Sequence, residues 1–188
     1  LAEPRLNGML DLEGFATEIP SAGLKLHDGR ISLRAADARR FALDGTILSG
    51  DGRIALSGEG GLGADEPLKI AVKGEDFLAA DIPAARVVVS PDLSIERNTE
   101  GILVTGKLAV PSANVDLAKL PGGGASAASP DVVIVDAMQA EPGKQAPVTA
   151  RVTVSLGDEV KLAGYGFDGS LSGDLILIDR PGRATTAS

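Results

Sequence analysis

Between Val148 and Leu156 the chain alternates without a break. Val148, Ala150, Val152, Val154 and Leu156 are apolar, and Thr149, Arg151, Thr153 and Ser155 between them are polar. Successive side chains of a strand point to opposite faces, so strict period two predicts a strand with one apolar and one wet face. The same alternation recurs over Arg30–Arg34 and Arg53–Ser57. It recurs again over Val87–Glu96, where Val87, Val89, Leu93 and Ile95 share a parity and Pro91 predicts a bulge or turn. Helical periodicity is nearly absent. The best candidate for a helical turn, Leu33–Leu43, suits a strand equally well.

Turn signals punctuate these strands. Asp28-Gly29, Asp44-Gly45, Asp51-Gly52 and Asp168-Gly169 read as hairpin turns, because a type I′ turn needs positive φ at both central residues. Gly157-Asp158 reads as a further turn dipeptide. Eleven or twelve strands of about eight residues follow, in a meander where neighbours in sequence are neighbours in the sheet. Their spacing is irregular, which argues against a solenoid. Leu120–Pro130 has the composition of a flexible linker, and Asp136–Pro147, with Pro142, Gly143 and Pro147, cannot hold a ladder. The strand grammar is the same on both sides of these loops, so residues 1–188 are expected to form a single segment. The opening at Leu1 and the polar finish over Arg183–Ser188 suggest a piece of a larger protein.

Composition narrows the architecture. A meander this long must curl, split into two sheets or close. Aromatic residues make up only 3% of the chain (Phe15, Phe41, Phe77, Phe167 and Tyr165, with no Trp). A sandwich or a filled barrel needs more bulk than that. The expected fold is therefore all-β: a long, curled, antiparallel sheet left open as a groove, with an apolar concave interior. Strands of that length would make it about 25 Å wide, and a dozen of them would make it roughly 50–60 Å long. The residues expected to line it are Ile31, Leu33, Ile54, Leu56, Val87, Val89, Leu93, Ile95, Ile102, Val104, Leu108, Val110, Val152, Val154, Leu156, Val160 and Leu162. For each of them the alternative is a place in an ordinary dry core.

The net charge of −8, with no basic cluster beyond Arg39-Arg40, disfavours nucleic acid and anionic membrane surfaces as partners. The absence of cysteine removes disulfides, thiolate metal sites and Cys nucleophiles. His27 is the only histidine and precedes Asp28-Gly29, the setting of a turn-flanking surface residue rather than a general base. Carboxylates are plentiful but sit mostly beside Gly or Pro, where Asp caps turns. The Gly-Asp-Glu-Val and Gly-Ala-Asp-Glu runs lack the spacing of a calcium loop. Gly58–Gly63 is glycine-rich, yet no Lys-Ser/Thr or helix start follows it to make a phosphate loop. No Gly-x-Ser-x-Gly elbow is present. No enzyme activity, cofactor or metal is expected, and no apolar run is long enough to span a bilayer as a helix.

Several phrases, taken in order, resemble the C-terminal region of the TamB family, within the wider AsmA-like group. They are DIPAARVVVSPDLSIE (Asp81–Glu96), the strand Gly101–Val110 with VPSANVDLAKLP (Val110–Pro121), SPDVVIV (Ser129–Val135) and LGDEVKLAGYGFDGSLSGDL (Leu156–Leu175). The match is ordered over roughly Asp81–Arg180 and looser before it. The resemblance implies a Gram-negative periplasmic segment of a protein anchored in the inner membrane, with a β-taco body. It further implies bridge-like transfer of phospholipid, through its acyl chains, between inner and outer membranes in support of outer-membrane biogenesis. A TamA-like outer-membrane protein is the implied partner, contacted through strands beyond Ser188. Assembly of outer-membrane β-barrel proteins and autotransporters, with those proteins as clients, is the alternative, and a stalk with a dry interior is a third.

Overall fold

Alternating sequence produces a continuous ladder. The computed structural model describes residues 7–37, 39–61, 66–99, 101–120, 147–179 and 186–187. Eleven strands form one sheet: β1 (Met9–Ile19), β2 (Leu24–Ala35), β3 (Arg40–Ser49), β4 (Gly52–Gly61), β5 (Leu68–Glu75), β6 (Phe77–Ile82), β7 (Ala85–Asn98), β8 (Gly101–Asp116), β9 (Val148–Gly164), β10 (Phe167–Asp179) and β11 (Thr186–Ala187). Their order is β1-β2-β3-β4-β5-β7-β8-β9-β10-β11, with β6 paired to β7 off this path. The two ends do not pair, so the sheet stays open, and the described residues contain no helix. This is the all-β curled sheet that the alternation predicts. Leu33–Leu43 forms the end of β2, a short connection and the start of β3. In that connection Asp37 Oδ1 accepts hydrogen bonds from the backbone N–H groups of Arg39 and Arg40.

Three expectations need correction. The meander is antiparallel except at one place, where β8 and β9 run parallel. A parallel pair needs a long crossover, which the stretch from Asp116 to Val148 supplies. Apart from Leu120 and Pro147, the loops expected over 120–130 and 136–147 lie outside the described residues, as do the Ser129–Val135 phrase, Leu1 and, except for Thr186–Ala187, the polar finish.

The strands are also longer than expected, reaching 16 and 17 residues in β8 and β9. Most of the turn dipeptides are not turns. Asp28-Gly29 lies inside β2, Asp44-Gly45 inside β3, Gly157-Asp158 inside β9 and Asp168-Gly169 inside β10. Only Asp51-Gly52 falls at a hairpin, where Gly50 and Asp51 link Ser49 to Gly52. The type I′ pattern occurs instead at Tyr165 and Gly166, with φ of 51° and 83°, which join β9 to β10. Asp28 spends its positive φ of 51° on a bulge, where the β2–β3 register shifts between His27 and Arg30. A Cβ on the adjacent Gly29 would overlap the ring of Phe15 on β1.

Such shifts recur close to one level across the sheet. They fall around Phe15 in β1, at Val88/Ser90 between β7 and β8, at Val110/Ser112 between β8 and β9, and at Leu171/Gly173 between β9 and β10. The β3–β4 turn and Asp76, whose φ of 48° separates β5 from β6, lie at the same level. Pro91 stands beside this line in β7, where the expected bulge is found. A bulge bends its strand and increases its twist, so a row of them curls the whole sheet along one line.

Beyond that line β6 crosses the ends of β2, β3 and β4. Leu24, Phe77, Leu78 and Ala84 are buried there. The backbone N–H of Asp81 donates to the Ala22 carbonyl at 2.8 Å, tying β6 to the β1–β2 turn. Ser49, fully buried, donates its hydroxyl to the Leu78 carbonyl at 2.8 Å. Ser49→Ala leaves that carbonyl without its side-chain donor. The expected loss is about 1–2 kcal/mol of stability, read as a lower urea midpoint at an unchanged slope.

His27 Nδ1 lies 2.8 Å from Asp28 Oδ2 at the β2 bulge. Its pKa is raised above the ordinary 6.5, chiefly by the hydrogen bond to Asp28. Folding therefore favours the protonated ring. That contribution is complete below the unfolded value and is lost as pH rises through the folded one. An NMR titration of the ring should give a midpoint above 6.5, and Asp28→Asn should lower it towards the ordinary value; no change in the variant would remove Asp28 as the cause.

Candidate functional site

The register carries one face across the sheet. Leu12, Ile31, Gly45, Leu56, Val72, Leu93, Gly106, Val152 and Leu177 pair strand by strand from β1 to β10. Directly paired residues point to the same face, so these nine form one continuous row. The next row holds Leu10, Leu33, Leu43, Gly58, Ile70, Ile95, Val104, Ala150 and Asp179. Towards the bulges, Ile54 pairs with Ile47, and Leu108 pairs with Pro91 and Val154. Ile102, at the opposite border, pairs with Arg97 and Val148.

Past the bulges the face persists although the parity of β8 changes. Val110 pairs with Leu156, whereas Ala113 pairs with both Val87 and Val160, and Val115 pairs with Leu162. Val110, Ala113 and Val160 are buried together, with Val87, Val89, Val115, Val154 and Leu156 packed against them. All seventeen residues singled out from the sequence thus lie on one face of one sheet. Val110, Val152 and Val160 are buried and the others are half-buried. Apart from β6, which crosses the ends of β2, β3 and β4, no strand or helix covers this face among the described residues.

Sequence reasoning missed the contributions of β1, β3, β5 and β10, among them Leu10, Leu12, Leu43, Ile47, Ile70, Val72, Leu175 and Leu177. Leu68–Lys73 alternates as cleanly as the strands it named, so β5 was legible. In β10 the run Leu175-Ile176-Leu177-Ile178 is apolar on both parities and hides its facing. Glycines complete the face where side chains would collide. A Cβ on Gly106 would strike the β7 backbone at Asp92, and one on Gly60 would meet Leu68 and the ring of Phe41.

The opposite face is charged and complementary. Glu18–Lys25, Arg53–Glu75, Lys69–Glu96, Lys73–Asp92 and Asp81–Arg86 are register partners and also ion pairs, at 3.7, 3.5, 3.1, 3.9 and 2.9 Å. Each is solvent-exposed and contributes little stability alone. Their effect is on register, since a slip of one residue would turn these charges onto the apolar face. Among the described residues no group of three or more His, Asp or Glu is placed to hold a metal ion, and no helix is long and apolar enough to cross a membrane.

A family model described as the TamB C-terminal domain matches residues 32–186. The chain is 26% identical over 190 residues to the translocation and assembly module subunit TamB of Haemophilus influenzae, covering 92% of this chain and 14% of that protein. No solved structure matches. With the family match spanning most of the sheet, the chain belongs to the TamB C-terminal domain family.

Proposed function

We propose that the apolar face is a trough for phospholipid acyl chains, within a TamB-family envelope protein that carries lipid between the inner and outer membranes. One observation carries this reading: an apolar surface continuous from β1 to β10 over which, among the described residues, only β6 lies, at the ends of β2, β3 and β4. Nine strands at about 4.8 Å give a row of roughly 38 Å. A phospholipid tail spans half of a hydrocarbon core about 30 Å thick, or roughly 15 Å. Tails can therefore lie along the rows end to end. Each buried CH₂ gains on the order of 0.8 kcal/mol, and a lining without polar anchors binds a tail similarly at every point. A TamA-like outer-membrane protein is the proposed partner and the periplasm the proposed location, both from the family resemblance.

A second reading rests on the edges. Ten of the eleven residues of β1 are exposed, with Met9, Leu10 and Leu12 at 63%, 67% and 49%. An open apolar edge can take up a client strand by β-augmentation, as a scaffold for outer-membrane β-barrel assembly would require.

A photo-crosslinker at Val154 of the intact protein should capture lipid, and one at Leu10 should capture polypeptide only if the scaffold reading holds. Val154→Arg or Leu162→Asp places a charge on the lining and should lower co-purified lipid roughly tenfold or more. Thr153→Arg, on the outer face, should leave it unchanged. Normal lipid loading of Val154→Arg would defeat the trough.

A further inference from the structure

Two rows of the apolar face run unbroken from β1 to β10, one through Leu12 and Val72 and the other from Leu10 through Ile70 to Asp179. The rows on either side are cut short. Towards the bulges, the row of Ile54 and Leu108 begins only at β3, because the β2 bulge at Asp28 and Gly29 skips Ile47. Towards the opposite border, the row of Leu68 and Ile102 reaches only from β2 to β9 and carries the charge of Arg97.

The bulge side is also filled. Leu24, Phe77 and Leu78 are buried where β6 crosses the strand ends, and Val110, Ala113 and Val160 are buried together where β8 and β9 bend. A close-packed cluster has no room for a further chain unless its side chains move. These two clusters give the trough a dry floor along the line of bulges. Above it, the two full-length rows are the ones that cross the whole sheet. Rows two residues apart on a strand are separated by about 6.7 Å. Apolar chains in contact approach to about 4.0–4.5 Å between heavy atoms. Each row therefore seats one extended hydrocarbon chain, with too little room for a second.

We infer that the trough seats a two-tailed lipid with one acyl chain on each of the two full-length rows, side by side above a floor that neither chain enters. The inference rests on the lipid-trough reading and adds to it the place of each tail. A two-tailed lipid needs both rows at once, whereas a single-tailed lipid needs only one of them.

The test measures binding of two lipids with one head group to the intact protein, each kept below its micelle concentration. They are diheptanoyl phosphatidylcholine and myristoyl lysophosphatidylcholine, in which the same number of tail carbons is split between two chains or held in one. On β5, Val72 lies in one row and Ile70 in the other. Val72→Asp and Ile70→Asp should each weaken the two-tailed lipid about tenfold or more. The single-tailed lipid should lose only about twofold from either, since one of two equivalent seats remains, and should fail only in the double variant. Ala71→Asp, on the outer face of the same strand, should change neither lipid. Equal losses of both lipids in the two single variants would overturn the two-row seat while leaving the trough standing. Harm to both lipids from one row and to neither from the other would overturn it too. A readout without variants uses the two-tailed lipid with a photoreactive diazirine at each tail end, bound to wild type. It should label residues of both rows, and labelling confined to one row, or reaching Val110, Ala113 or Val160, would overturn the seat. A wild type that bound neither lipid would remove the trough and the seat together.

Discussion

One constraint governs the sheet: every strand must keep its apolar residues on the same face while being bent along a common line. Side chains in a strand alternate, so any extra residue at a bend would turn the rest of that strand inside out. Strand β8 shows how this is resolved. Its apolar positions are even-numbered up to Val110 and odd-numbered at Ala113 and Val115, yet the register keeps them all on one face because the bulge between Val110 and Ser112 absorbs a residue. In β9 the parity is retained from Leu156 to Val160, with Gly157, Asp158 and Glu159 taking the bend between them. The charged pairs on the outer face penalise any other register. Bending and facing are therefore solved together, strand by strand.

What was legible in the sequence follows from this. Where a strand alternates and stays on one side of the bulge line, as in Ile31–Leu33, Ile54–Leu56 and Val148–Leu156, residue parity alone gives the facing. Where a strand crosses the line, parity fails, and Ala113 and Val115 were missed for that reason. Asp-Gly misled because positive φ serves a bulge as well as a type I′ turn, and only the neighbouring strand decides which. Asp28-Gly29 bulges beneath Phe15, a contact between strands that no local pattern encodes. The parallel β8–β9 pair was hidden as well, since its two strands alternate as an antiparallel pair would. The facing of Arg97 was obscured by its surroundings: in Glu96-Arg97-Asn98 it reads as a polar strand end, and only pairing with Leu68 and Ile102 places it on the apolar face.

The few aromatic residues take on a different meaning in the structure. The sequence suggests that their scarcity leaves a thin lining in place of a filled core. Phe15 and Phe41 each lie over a glycine of the next strand, Gly29 and Gly60, and Phe167 lies over Gly169 of its own strand. A ring laid over a glycine covers bare backbone without standing up from the face. Bulk is thereby spent within the sheet, and the surface stays low. Phe77 is the exception, buried where β6 crosses the strand ends.

The arrangement is poor at binding any one thing tightly, and that suits the proposed role. A pocket gains specificity from polar groups placed within an apolar wall, each of which also holds its ligand in place. Here the charged groups are confined to the border, where Arg97 and Asp179 stand at the strand ends, and the rest of the face is apolar or glycine apart from the hydroxyls of Thr17 and Ser49. A tail moving along a row exchanges one set of methyl and methylene contacts for another of about the same strength. No deep well opens along the path, so the barrier to sliding stays small compared with the cost of leaving the face for water. A lining that holds lipid without fixing its position needs the uniform facing that the line of bulges preserves.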